Sequence, residues 1–107
     1  MKDLDQSPPR EPSAYTWGRP RVICYPPSGV DVAVALLRAS RRRAQLMVWY
    51  PLNVGERVTI LIRGPGQPRA LHVEAIVSEC VLRKDGLYQL DVDFQRPLRR
   101  EDVLGMR

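Results

Sequence analysis

The chain has 107 residues, and seventeen Lys and Arg against twelve Asp and Glu give a formal charge of +5. That length suits one domain with one core and excludes a catalytic apparatus with its own cofactor domain. No apolar run approaches the ~20 residues needed to cross a bilayer, so no membrane insertion is expected.

Residues 1–18 are polar and rich in proline (Pro8, Pro9, Pro12) and have no apolar period. They predict a flexible tail with no secretory leader, hence a cytoplasmic setting, ahead of a folded domain over 19–107. Tyr15 and Trp17 stand out in the tail as residues able to pin its end to the body. Arg21-Val-Ile-Cys-Tyr25 is a short β-rich run closed by Pro26-Pro27. Val30, Val32, Val34 and Leu36 then alternate with Asp31, Ala33, Ala35 and Leu37, which is the period of a strand. A rival stays open there, because Ser28 and Asp31 could cap a helix running through Ala33–Ala39.

Arg38-Ala-Ser-Arg-Arg-Arg43 interrupts the apolar pattern with four arginines in six positions. Ala44 to Tyr50 predicts the next strand, closed by Pro51. In Arg57–Arg63, Val58, Ile60 and Ile62 share one face. After the Gly/Pro loop 64–68, Leu71, Val73, Ala75 and Val77 line one face, with His72, Glu74, Ile76 and Ser78 on the other. Asp85-Gly86 signals a hairpin. It leads into Tyr88, Leu90, Val92 and Phe94 pointing in, with Gln89, Asp91, Asp93 and Gln95 pointing out. Residues 98–105 allow one or two helical turns with Leu98 and Leu104 inward. The sum is all-β: six short strands in a small barrel, with at most a short C-terminal helix.

Fifteen arginines stand against two lysines. Genomic composition and an anion-gripping surface both account for that skew. Cys24 and Cys80 lie far apart in apolar surroundings and read as small core residues, with neither a zinc site nor a disulfide framework indicated. His72 alone cannot build a metal site, and no nucleophile, base and orienting group converge. No enzyme, no catalytic residue and no bound metal or cofactor is expected.

Three stretches together resemble the PilZ domain family: Pro51-Leu-Asn-Val-Gly-Glu-Arg-Val-Thr-Ile-Leu-Ile62, Leu71-His-Val-Glu-Ala-Ile-Val77 and Asp85-Gly-Leu-Tyr-Gln-Leu-Asp-Val-Asp-Phe94. The resemblance covers about residues 19 to 105. It implies a six-stranded barrel that receives the bacterial second messenger cyclic di-GMP. Family members that bind this ligand carry RxxxR before the first strand and [D/N]xSxxG ahead of a later one. Here Arg21 matches the second arginine, Trp17 holds the place of the first, and Arg19 is near but out of register. The second motif maps onto Arg38–Arg43, where only Ser40 survives. Asp91 stands where the family often has glycine, adding a carboxylate near the site.

These departures leave three readings. In the first, the barrel is a regulatory adaptor that docks a protein, with nucleotide binding lost or rebuilt. In the second, Arg38, Ser40, Arg41, Arg42 and Arg43, helped by Arg19 and Arg21, form a substitute clamp for cyclic di-GMP. In the third, the chain is a basic nucleic-acid module, against which the scarcity of aromatic platforms argues. Trp49, with Met47 on the same expected strand face, and Trp17 are the candidate partner-binding residues.

Overall fold

The computed structural model describes residues 20–65 and 67–106. The tail expected over 1–18, with Trp17 in it, and the candidate Arg19 lie outside the described residues. Six strands follow one another: β1 (Arg21–Tyr25), β2 (Ala33–Ala39), β3 (Arg43–Val48), β4 (Arg57–Arg63), β5 (Leu71–Leu82) and β6 (Tyr88–Phe94). A short helix, α1 (Arg100–Gly105), ends the fold. Every pairing is antiparallel, in the order β1-β4-β5-β6-β3-β2.

The sheet curls until its two end strands meet. The Val32 amide donates to the Cys24 carbonyl at 3.0 Å. Asp31 Oδ1 accepts from the amides of Cys24 (2.9 Å) and Ala33 (3.0 Å). The result is a nearly closed barrel, the all-β fold expected. Asp31 answers the helix-or-strand question over Ala33–Ala39: its carboxylate ties β1 to β2 and caps no helix.

Period-two patterning accounts for the core. Val58, Ile60 and Ile62 of β4, Val73, Ala75 and Val77 of β5, and Leu90, Val92 and Phe94 of β6 all point inward and are buried, with Leu46 and Val48 of β3 across from them. Each Val, Leu, Ile or Phe among them contributes roughly 1.5–3 kcal/mol by leaving water.

The structure departs from simple alternation at four places. First, β2 begins at Ala33 instead of Val30, and its register shifts twice, between Ala33 and Ala35 and between Leu36 and Arg38. These bulges leave Leu36 against the core and Leu37 exposed. Second, β3 stops at Val48, two residues before the expected end. Third, β5 runs on to Leu82 through a bulge between Val77 and Glu79. The extra residue makes Cys80 the next to pack on the core. Fourth, Leu104 is 56% exposed, while Val103 and Met106 face the core with Leu98. In a helix starting at Arg100, residues 103 and 106 share a face and 104 is turned aside.

The C-terminal segment is fastened to the β2–β3 turn. The Leu98 amide donates to the Arg41 carbonyl at 2.7 Å, and the Phe94 amide to the Arg42 carbonyl at 2.8 Å. Arg41 Nε in turn donates to the Leu98 carbonyl at 2.8 Å. At the far end of the segment α1 lies against the chain leaving β4, where a Cβ on Gly64 would run into the Gly105 carbonyl. Only glycine allows that approach.

Candidate functional site

The four-arginine stretch forms a tight reversal between β2 and β3. The Ser40 amide donates to the Arg43 carbonyl at 2.9 Å. Ser40 Oγ accepts from the amides of Arg42 and Arg43 at 3.4 and 3.3 Å. A serine suits this place because its hydroxyl can replace a missing backbone partner in a turn. Backbone bonds from Phe94 and Leu98 hold the same turn from the other side. The arginine side chains therefore project from a fixed frame.

Register then decides what faces them. Arg38 on β2 pairs with Gln45 on β3, Gln45 with Asp91 on β6, and Asp91 with Glu79 on β5. The neighbouring row pairs Arg43 with Asp93 and Asp93 with Ile76. These residues alternate with the buried Ala44, Leu46, Leu90 and Val92, so they lie on the outer surface of the barrel. There a concavity of about 300 Å³ is lined chiefly by Arg38, Ser40, Arg43, Gln45, Ser78 and Asp91. The β5 bulge carries Ser78 into it, and Ser78 Oγ donates to the Asp91 carbonyl at 3.1 Å. Arg43 Nε lies 3.4 Å from Asp93 Oδ1 with both side chains well exposed, an ion pair of little energetic weight. Asp91 Oδ1 is shielded from solvent and has no hydrogen-bond partner among the described residues.

Of the predicted ligand residues, Arg38, Ser40 and Arg43 thus come together. Arg41 is engaged with the Leu98 carbonyl. Arg42 is exposed at the turn and does not line the concavity. Arg21 opens β1, in register with Arg63, and is exposed. Its neighbour Pro20 borders a hollow of about 550 Å³ with Leu36, Leu37, Val103 and Met106, which meets the concavity at Arg38 and Ala39. Gln45 and Ser78 were not anticipated. Only knowledge of the strand pairing, or of the bulge, would have found them.

Met47 and Trp49 do not share a strand face, because β3 ends before Trp49. Met47 is half-buried and pairs with Ala35 and Gln89. Trp49 packs against the core and donates its indole N–H to the Asp31 carbonyl at 3.1 Å. It meets the exposed Tyr50 edge-on, with ring centroids 5.8 Å apart.

A further hollow of about 440 Å³ includes His72, Glu74, Arg96, Arg99 and Asp102. His72 Nε2 lies 2.9 Å from Glu74 Oε2, and Thr59 Oγ1 donates to the same carboxylate. The His72 hydrogen bond first, then that from Thr59, hold the Glu74 carboxyl below its ordinary range. Among the described residues no three metal-ligating side chains gather, and no helix is long and apolar enough to cross a membrane.

The outer-face concavity can do two things at once. Its guanidinium groups attract an anion, and its carboxylate and amide oxygens accept N–H donors. No family model, no curated protein and no solved structure matches this chain.

Proposed function

We propose that this protein is a PilZ-like regulatory barrel, a non-enzymatic adaptor of bacterial cyclic di-GMP signalling with a ligand site rebuilt around the β2–β3 turn. One observation carries the reading. Arg38, Ser40 and Arg43 surround a concavity at the turn where the resemblance in sequence puts the ligand motif. Its volume falls at the small end of the ~300–1,000 Å³ range of ligand pockets. Four guanidiniums within six positions favour an anionic occupant. In this reading the site works in the cytoplasm and passes its occupancy to a protein partner.

Docking without a nucleotide is the second reading. It draws on the opposite end of the barrel, where Tyr50, Val81 and Leu82 are exposed around the β3–β6–β5 pairing of Val48, Tyr88 and Leu82.

Calorimetric titration of cyclic di-GMP at ~150 mM salt, where surface charges are screened beyond ~8 Å, tests the proposal. Saturable binding is expected, weakened about tenfold or more by Arg38→Ala or Arg43→Ala, since each removes a charged hydrogen-bonding group. Arg41 is left intact in these variants because it holds Leu98. A flat trace would favour docking alone. Oligonucleotide binding with a steep salt slope would make this a nucleic-acid module instead.

A further inference from the structure

Among the described residues, the two end strands of the sheet meet without a ladder of their own. The Val32 amide reaches the Cys24 carbonyl, and the Asp31 carboxylate bridges beside it. Both ties sit where β1 closes and β2 is about to begin. At the opposite end of the seam, where β1 begins and β2 finishes, lies the hollow of about 550 Å³. Pro20 stands at its edge. Leu36, Leu37 and Ala39 of β2 form one side, and Val103 and Met106 of the C-terminal segment form another. Of the described residues that line it, six carry apolar side chains and the seventh is Arg38. Leu37, though aliphatic, is 39% exposed.

Where the chain enters points to what covers this hollow. Pro20 is both a lining residue and the first described one, so the residues before it start at the hollow's edge. Three positions back is Trp17, in a stretch otherwise polar and rich in proline. Three residues of chain reach at most about 11 Å. A residue before proline favours extended backbone, as Arg19 is placed to do, and Gly18 is the link free to turn the indole back. An indole is large and mostly apolar, and it removes about 150–250 Å² from water when buried. Its face is also the best aromatic partner for a guanidinium, which Arg38 supplies at the hollow.

We propose that Trp17 of the same chain is the occupant: its ring lies against Leu37 and Val103 with a face toward Arg38, and it closes the part of the seam that backbone bonds leave open. β1 is then anchored at both ends, by Asp31 after it and by Trp17 before it. Neither a nucleotide nor a partner protein enters, so this assignment stands or falls apart from the reading of the concavity.

Tryptophan emission tests it on the full chain. Subtracting the spectrum of Trp17→Ala from that of the wild type isolates Trp17, because Trp49 is common to both. The difference emission should lie to the blue of free tryptophan and resist acrylamide quenching several-fold. Trp17→Ala should melt about 4–8 °C lower, as for one partly buried apolar side chain lost from a domain of this size. Leu37→Asp puts a carboxylate into the hollow at an exposed position, where the barrel itself tolerates it. In that background Trp17 should emit to the red and quench freely. The double variant should melt no lower than the less stable single variant, since one contact can be lost only once. Val81→Asp, exposed at the other end of the barrel, should leave Trp17 emission as in the wild type. Red, freely quenched emission in the wild type, additive losses in the double variant or an equal response to Val81→Asp would each overturn the assignment. Emission that reddens on dilution would seat Trp17 in a second copy of the chain and overturn it as well.

Discussion

Cys24 shows how much one side chain's setting alters its chemistry. It is fully buried in β1. Burial above all, with the nearby Asp31 and Glu56 carboxylates adding to it, pushes the thiol up to about 12. In the unfolded chain a thiol ionises near pH 8.5. Above that pH the unfolded state releases a proton that the native state keeps, so stability is full below about pH 8.5 and is lost as pH rises toward 12. The slope approaches 1.4 kcal/mol per pH unit for this one group. Denaturant midpoints of the wild type and Cys24→Ala, compared between pH 7 and 10.5, should converge as pH rises. In native protein an alkylating reagent should reach the half-buried Cys80 well before Cys24; equal rates would mean that the Cys24 site is open to solvent. That Cys24 belongs to the core was legible in its apolar neighbours, whereas the helical phase that turns Leu104 outward was not. A helix of six residues offers too few positions for a period to declare itself.

At the scale of elements, legibility followed regularity. Val58, Ile60 and Ile62 could be assigned to one buried face because a one-residue slip would turn all three to water. The bulges in β2 and β5 have no such signature, since an inserted residue only interrupts the alternation. Arg38, Ser40 and Arg43 could be grouped beforehand because a single turn holds them. Gln45 and Ser78 could not, because pairings between strands distant in the chain bring them there. The diversion of Arg41 was equally hidden, as its partner Leu98 lies 57 positions away. That contact separates the arginines experimentally. Arg41→Ala removes a charged donor from a part-buried carbonyl and should cost about 1 kcal/mol after allowance for exposure, a fall of about 4–8 °C in melting temperature. Arg42→Ala, at the exposed tip, should stay within about 0.5 kcal/mol of wild type. Equal melting temperatures for the two variants would mean that the fastening to Leu98 carries no load.

For the molecule as a whole, the strand order places β4, β5, β6 and β3 in the middle and β1 and β2 at the seam. Central strands are laddered on both sides. Each seam strand is laddered on one side only, apart from the Cys24–Val32 bond and the Asp31 carboxylate that bridge it. Native-state hydrogen exchange should therefore be slowest for the amides of β6 and its neighbours, and fastest among the strands for β1 and β2. Uniform protection around the barrel would mean that the seam is as strong as the ladders. Asp31 was legible as a capping residue, but the object it caps, a barrel seam, depends on closure of the entire sheet.

The β3–β6 pairing joins residues 43–48 to residues 88–93. During synthesis the arginine turn leaves the ribosome long before the strand that bears Asp91. The early chain therefore exposes concentrated positive charge with no carboxylate yet in place across from it, and is open to any polyanion nearby. Docking of the last strand ends that period, and the same event lays the segment that fastens Leu98 to the turn. Cover for the turn and completion of the sheet are thus one event, and an incomplete chain has neither.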